Sequence, residues 1–162
     1  MVNIIIDQLT NSIVKLETGE IFETELNPIS TKDLAVSKNW LFDWVKENNK
    51  YQIFKLTIKN DSEIQGLISL EVGQGFVFVS LVENAPFNVG KNQIYNGVGA
   101  NLFAYACKIS EENNFDGYVS FIAKTELIEH YQNNLGAKLI SNQSMIIDGI
   151  AAKKLISRYF KK

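Results

Sequence analysis

The order of apolar patterns along the chain predicts one α/β (α+β) domain with a mixed, mostly antiparallel central sheet and helices on both faces. Strand-like runs separated by turn residues come first, a helical period then alternates with a buried strand, and two short strands and a helical run close the chain. No repeat, low-complexity tract or linker-like stretch interrupts the 162 residues. We therefore expect residues 1–162 to form a single domain.

The N-terminal elements are a predicted β-hairpin and a helical region. Two β-type runs, Ile13–Leu16 and Ile21–Leu26, flank Gly19, which supplies the positive φ that a tight loop often requires. Ser30 followed by Asp33 has the capping pattern that begins a helix. We expect this helical region to run to the polar residues before the next strand.

Three strands are predicted in the middle of the chain, at Ile53–Lys59, Ile64–Val72 and Phe76–Val82. The connecting segments, Asn60–Ser62 and Gly73–Gly75, have the composition of tight turns. Short turns join antiparallel neighbours, so the three strands should form an antiparallel meander.

The periodicity becomes helical after Gly97 and stays so until Asn113, and Tyr118–Ala123 then has the composition of a buried strand. Thr125 is expected to cap a helix that ends at Gly136. The remaining predicted elements are two strands and a terminal helix, at Lys138–Ile140, Met145–Ile147 and Ala151–Phe160.

Composition disfavours several classes of function. The net charge of -2 argues against non-specific nucleic-acid binding, which relies on a positive surface. The single cysteine, Cys107, allows no internal disulfide and leaves no pair for a structural zinc site. The apolar run within Met1–Leu9 is too short for a signal peptide, and no stretch approaches the length of a membrane span. We expect a cytoplasmic protein with no metal site, and no nucleic acid or membrane partner.

The segment Tyr95–Asn101 is the most informative in the chain, because it is a glycine-containing turn that enters a helix. Backbone N–H groups at such a turn lack intrahelical acceptors, and the helix dipole adds positive potential, so the turn favours an anion. A dinucleotide site requires a third glycine where Leu102 stands, and a P-loop requires a serine or threonine that Gly90–Asn92 lacks. The pyrophosphate of coenzyme A and a helix start that binds nothing remain open.

From Phe76 to Ile140 the chain resembles the GNAT superfamily of N-acetyltransferases. In that family a buried strand leads into a Q/R-x-x-G-x-G/A loop and a helix, followed by a strand and a helix with a tyrosine shortly before a glycine. The chain departs from this pattern at two positions: Ile94 occupies the Q/R position, and Tyr131 lies five residues before its glycine instead of four.

The resemblance implies an acetyl-CoA cleft between the strands Phe76–Glu83 and Tyr118–Ala123, which would diverge at one end. It also implies that the pantetheine arm of the cofactor pairs with backbone groups of the first strand, and that the pyrophosphate binds at the helix start. The implied cofactor-binding residues are Leu81, Val82, Tyr95, Asn96, Gly97, Val98, Gly99, Ala100 and Asn101.

For direct acetyl transfer to an amine, the sequence suggests Glu83 as the base, with Glu71 or an ordered water as alternatives, and Tyr131 as the acid that protonates the departing sulfur. Tyr131 is equally well explained as a core tyrosine. His130, the one histidine, is expected to form an ordinary surface pair with Glu126.

Three functions follow as hypotheses. The first is an N-acetyltransferase that acts on a small-molecule or protein amine. The second is a non-catalytic CoA-binding regulatory or interaction module of the same fold. The third is a structural domain whose glycine turn binds nothing.

Overall fold

The computed structural model describes residues 12–160, which form a mixed sheet covered by helices. The prediction made for Met1–Leu9 lies outside the described residues. Within that range the strands are β1 Ser12–Lys15, β2 Ile21–Pro28, β3 Gln52–Ile58, β4 Ile64–Val72, β5 Val77–Asn84, β6 Tyr95–Asn96, β7 Val119–Ile122, β8 Lys138–Ser141 and β9 Ser144–Ile147. Their spatial order is β6-β1-β2-β3-β4-β5-β7-β9-β8.

The pairing of neighbouring strands confirms the predicted mixed and mostly antiparallel sheet. The strands β3, β4 and β5 form the expected antiparallel meander. The β5–β7 pair is parallel, whereas the other neighbours in the order are antiparallel. The predicted N-terminal hairpin is present as β1 and β2, with Gly19 at a φ of 74° in the connecting turn.

Helices cover both faces of the sheet. They are α1 Thr31–Val36, α2 Trp44–Glu47, α3 Val98–Glu112, α4 Ile128–Leu135 and α5 Gly149–Phe160. The helices α3, α4 and α5 supply buried side chains to the main core on one face. On the other face, Trp44 of α2 packs with Ile53, Ile64 and Leu67 in a second, smaller cluster. We call these the α3 face and the α2 face.

The helical region predicted after Ser30 is interrupted. Ser30 does cap α1, since its hydroxyl accepts from the Asp33 N–H and the Asp33 carboxylate accepts from the Ser30 N–H. The chain then becomes extended at Trp40 and restarts as α2, where the Asp43 carboxylate accepts from the Lys46 N–H. A second side-chain cap within the region explains the break.

The prediction that Thr125 caps the next helix is wrong. Thr125 begins a 3-10 turn, Thr125–Leu127, and α4 starts after it without a side-chain cap. The Thr125 hydroxyl accepts instead from Gln143 Nε2 at 3.3 Å. The predicted end of the helix is confirmed, because Gly136 takes a left-handed φ of 68°.

Gly66 brings α3 close to the sheet. A Cβ atom on Gly66 of β4 would lie 2.7 Å from Val98 Cγ1 and 3.0 Å from Leu102 Cδ1, closer than packed carbons approach. The buried Asn101 side chain donates from Nδ2 to Thr24 Oγ1 on β2 at 3.1 Å. These contacts fix the first turn of α3 over the centre of the sheet.

Candidate active site

A β-bulge in β5 reverses which side chains of that strand face each helix layer. Ser69 pairs with Leu81 and Leu70 pairs with Val79, so Ser80 is an extra residue on β5. Val79 lies in the core of the α3 face, whereas Leu81 packs against the Trp44 cluster. Without the bulge both side chains would lie on one face, because side chains alternate along a strand.

The same bulge marks the point where β5 and β7 diverge. Their parallel pairing covers three positions, from Val77 opposite Val119 to Val79 opposite Phe121. Beyond that point β5 continues to Asn84, while Ala123 donates its N–H to Gln143 at 2.9 Å. The two strands are therefore no longer paired beyond Val79, as the predicted divergence requires, and we call the space beside residues 80–84 on the β7 side of β5 the cleft.

Backbone groups of Val82 and Asn84 face this cleft. The Leu81 N–H donates to Ser69 Oγ at 3.0 Å and the Ala85 N–H donates to the Gln65 carbonyl at 2.9 Å, both on β4. Alternate residues of a strand direct their N–H and C=O groups to opposite sides. The groups of residues 82 and 84 consequently point away from β4, towards the side from which β7 has diverged.

The start of α3 lies at the same end of β5. Gly97 precedes the helix with a φ of 94°, a left-handed conformation that glycine adopts without the strain a side chain brings. The following N–H groups, of residues 98–100, have no intrahelical acceptor. A Cβ atom at Gly99 would lie 3.5 Å from Asn84 Oδ1, which shows how closely the helix start approaches the end of β5.

The loop before α3 is held by a buried amide network. Asn88 donates from Nδ2 to Gln65 Oε1 at 3.0 Å, and its Oδ1 accepts from the Tyr95 N–H at 3.0 Å. The Tyr95 ring packs edge-on against Phe22, at 5.8 Å between centroids. Buried amides that satisfy each other position a loop rigidly, so the helix start is held in place before any ligand arrives.

Tyr131 lies on the α3 face beside the divergence point. Its ring centroid is 5.1 Å from that of Phe121, in the last pair of β5 and β7, and 5.6 Å from that of Phe103. Burial raises the pKa of the Tyr131 phenol above its ordinary value of 10.0. The hydroxyl therefore stays protonated at neutral pH and can act as a donor.

Glu83 lies on the opposite, α2 face. Its carboxylate accepts three hydrogen bonds: from the N–H of Leu41 at 2.6 Å, the N–H of Phe42 at 3.1 Å and the Trp44 indole N–H at 2.9 Å. The other carboxylate that the sequence suggested, Glu71, is exposed and pairs across the strands with Phe78, before the bulge. Glu71 therefore lies where β5 and β7 are still paired.

Comparison by sequence finds neither a matching family model nor a matching curated protein. Comparison of the fold finds several similar solved structures. A point mutant of the toxin AtaT, solved with acetyl-CoA and the C-terminus of the antitoxin AtaR, is 12% identical, with a TM-score of 0.56 over 83% of this chain and 98% of that one. The ribosomal-protein-S18-alanine N-acetyltransferase of Escherichia coli is 13% identical, with a TM-score of 0.55 over 76% and 90%.

A GNAT-family acetyltransferase of Listeria monocytogenes is 11% identical, with a TM-score of 0.50 over 84% of this chain and 97% of that chain. The chain has the GNAT fold. At these identities the likeness concerns architecture, so the roles of individual residues rest on the contacts described above.

Within this GNAT fold the predicted cofactor residues divide into two groups. The side chains of Tyr95, Val98 and Asn101 are used inside the protein, against Phe22, Gly66 and Thr24 respectively. These positions can therefore offer a ligand mainly their backbone. The remaining positions at the helix start, Asn96, Gly97, Gly99 and Ala100, are half-buried, as are Leu81 and Val82 on β5.

The sequence analysis missed three residues of this site. Ser69 accepts from the Leu81 N–H at the bulge, and Glu47 accepts from Ser69 Oγ at 2.5 Å. Asn84 lies against Gly99 at the start of α3. Ser69 had a signal, since it is a hydroxyl residue between the apolar residues Ile68 and Leu70 of β4 and is fully buried. A buried hydroxyl requires partners, and its position could have indicated the bulge.

Other reactive side chains lie away from the cleft. Burial raises the pKa of Cys107 to about 12, so its thiol is protonated and packs as a small apolar group. His130 is exposed and contacts Asn134 through Nδ1 at 2.9 Å, while Glu126 lies in the preceding 3-10 turn. Among residues 12–160 no three His, Cys, Asp or Glu side chains form a group that could hold a metal ion, and no helix is long and apolar enough for a membrane span.

A cavity of about 400 Å³ lies between the C-terminal end of α4 and α5. Its lining includes Lys138, whose ammonium is 2.7 Å from the Asp148 carboxylate. The first turn of α5 also lines this cavity, but its Ala151 N–H already donates to the Asp148 carboxylate at 2.9 Å.

Proposed function

We propose that the chain is an N-acetyltransferase that uses acetyl-CoA as co-substrate and an amine as acceptor. The observation that carries this proposal is the meeting of two features at one end of β5. Outward-facing backbone groups of a diverging strand lie there beside a helix start rich in free N–H donors. A long cofactor with an amide-bearing arm and a pyrophosphate requires both features together.

The strand geometry refines how the cofactor would bind. The amide groups of pantetheine pair with the backbone of Val82 and Asn84, because the Leu81 N–H is already bonded to Ser69. The pyrophosphate lies on the N–H groups of residues 98–100, where the helix dipole favours negative charge. The Gly97 N–H donates to Asn96 Oδ1 and so takes no part.

The proposed reaction needs no covalent enzyme intermediate. The acceptor nitrogen attacks the thioester carbonyl, a C–N bond forms and the C–S bond breaks. One proton leaves the nitrogen and one reaches the sulfur, so the products are an acetylated amine and free CoA thiol. We assign the second proton to Tyr131, and its support is a protonated phenol whose ring packs against Phe121 beside the divergence point.

A second candidate is a CoA-binding module without turnover. The observation that favours it is the state of Glu83, since this first candidate for the base is engaged by three donors. Under the first proposal, with Glu83 engaged in this way, an ordered water and not Glu83 accepts the amine proton.

The test is calorimetric titration with acetyl-CoA, followed by an assay of thiol release with a panel of amines. The panel includes a peptide with a free N-terminus, a lysine-containing peptide and small diamines. Binding with amine-dependent thiol release is expected. Binding without release from any amine supports the module, and no binding contradicts both proposals.

A further inference from the structure

Residues 41–47, which we call the bridging segment, comprise the last residues before α2 and α2 itself, and they cross the bulge of β5. Glu83 contacts one end of this segment. Its Oε2 accepts from the Leu41 N–H, and its Oε1 accepts from both the Phe42 N–H and Trp44 Nε1. The carboxylate thus joins three donors that are spread over four residues.

The other end of the bridging segment is tied to the same bulge. Glu47 accepts from the Ser69 hydroxyl at 2.5 Å, and that hydroxyl accepts from the Leu81 N–H at 3.0 Å. One carboxylate comes from the sheet and one from the segment. Both ends are therefore linked to the residues that turn β5 towards the cleft.

Packing alone does not hold the Leu41 end. The Leu41 side chain is 77% exposed and Val45 is 51% exposed, whereas Trp44 at 1% is buried in the cluster with Leu67. The helix α2 has four residues, far fewer than a helix requires to be stable by itself. The hydrogen bond to Glu83 therefore holds the exposed Leu41, while Phe42 is held both by its N–H bond to Glu83 and by edge-on packing against the Trp44 ring.

The bulge explains why a carboxylate of β5 reaches this segment. On a regular strand, Glu83 would share the α3 face with Val79, but the extra residue Ser80 turns it to the α2 face. The register shift at Ser80 thus also places the Glu83 carboxylate against the bridging segment.

We infer that Glu83 is a positioning residue that holds the bridging segment against the end of β5, and that it is not the base. The statement about the base rests on the proposed function, whereas the positioning role rests on the hydrogen bonds. Three of the roughly four acceptor sites of this carboxylate are already taken by the bridging segment, at 2.6 to 3.1 Å. Charge-assisted bonds of this kind are among the stronger ones in proteins.

The first test uses tryptophan emission. Trp40 and Trp44 are the two tryptophans of the chain, so in a Trp40→Phe background Trp44 reports on the segment alone. Glu83→Gln places an amide N–H against one of the three N–H donors of the bridging segment, and Glu83→Asp shortens the side chain that reaches them. We expect both to red-shift the emission and to increase quenching by acrylamide. The matched control is Glu25→Gln, which makes the same change at an exposed position on β2 and should leave emission unchanged.

Far-UV circular dichroism and thermal melting show whether each variant is folded. If Glu83→Gln fails to fold, Glu83→Asp in the folded state carries the test. Emission and quenching that match the parent in both variants would overturn the inference, whether or not the protein turns over any substrate.

The second test separates a positioning residue from a base. A positioning residue predicts a fall in kcat of Glu83→Gln that is several-fold at most, with an unchanged pH profile and unchanged acetyl-CoA affinity. A base predicts a fall in kcat of about a hundred- to ten-thousand-fold and loss of the acidic limb of the profile, and that result would overturn the inference. If the parent protein fails to bind acetyl-CoA, the proposed function fails, and the emission test alone decides the role of Glu83.

Discussion

At the scale of single residues, the polar side chains at the bulge accept hydrogen bonds from backbone and indole N–H groups of the protein itself. Ser69 satisfies the Leu81 N–H that loses its regular strand partner, and Glu83 satisfies three donors of the bridging segment. A buried donor without an acceptor costs about 1–3 kcal/mol. Ser69 therefore stabilises the irregular part of β5, and Glu83 stabilises the segment that crosses it.

Gly99→Asp tests the proposed pyrophosphate site. A Cβ atom at Gly99 meets Asn84 Oδ1 at 3.5 Å, an ordinary contact, so the fold should survive. A carboxylate in the first turn of α3 should even stabilise the helix, by about 0.3–1 kcal/mol. The same charge repels a pyrophosphate, so acetyl-CoA affinity measured by calorimetry should fall sharply, and less in Gly99→Ala. Equal affinity in Gly99→Asp and the parent would place the pyrophosphate elsewhere.

Tyr131→Phe tests the proposed acid. The ring still packs against Phe103 and Phe121, so stability and acetyl-CoA affinity should stay near those of the parent. Turnover should fall by about a hundred- to ten-thousand-fold, the range that positioned acids contribute. Tyr105→Phe, which alters a half-buried ring between Phe54 and Phe160, is the matched control. A loss of turnover within threefold, or one that merely follows a loss of stability, would identify Tyr131 as a core tyrosine.

At the scale of elements, local patterns predicted most strands and helices because each has its own turn or cap. Gly19, Gly136 and the Ser30–Asp33 cap lie where the sequence places them. The break between α1 and α2 was less predictable, since it depends on Asp43 and on bonds to Glu83, which is about forty residues away along the chain. The bulge arises from the register between two strands, which no local pattern specifies.

The same limit applies to the candidate site. The helix start at Gly97 followed from the local pattern and is present, and the Tyr131 ring packs against Phe121 of the sheet. Which face Glu83 occupies depends on one extra residue in β5, so the sequence could indicate a carboxylate near the cleft but not the donors that engage it.

Asp33→Asn tests how α1 is attached to the sheet. Burial raises the pKa of Asp33, but hydrogen bonds from Lys55 on β3, at 2.8 Å, and from Ser30 outweigh it, and the net pKa lies below the ordinary value of 3.8. A lowered pKa stabilises the folded state above the unfolded value, and this contribution is lost as the pH falls through the folded value. The melting temperature of Asp33→Asn should therefore lie below that of the parent at pH 6, with the difference narrowing below pH 3.8.

Glu25→Gln makes an equal change of charge at an exposed position and is the control for this series. A difference in melting temperature between Asp33→Asn and the parent that stays constant from pH 6 to pH 3 would show that the carboxylate acts through shape and not through charge.

At the scale of the whole molecule, the sheet consists of two parts joined at a short seam. The strands β6, β1, β2, β3, β4 and β5 form one part and β7, β9 and β8 form the other, and the β5–β7 pairing covers only three positions. The helix α3 spans the seam, since its side chains Val98 and Leu102 meet Gly66 on β4 while Phe103 meets Phe121 on β7. A ligand that fills the diverging end adds contacts where the strands supply none.

Acetyl-CoA should consequently raise the melting temperature of the whole domain. A ligand that binds only the folded state stabilises it by about 2.7 kcal/mol at a hundred times its dissociation constant. For a chain of this length that corresponds to an increase of about 5–11 °C, because each kcal/mol shifts the midpoint by about 2–4 °C. Acetyl-pantetheine, which lacks the pyrophosphate, should at equal concentration give a much smaller increase, and Gly99→Asp should remove most of the increase seen with acetyl-CoA. An equal shift from both compounds would show that the helix start contributes nothing, and no shift from either would show that the cleft is not a coenzyme A site.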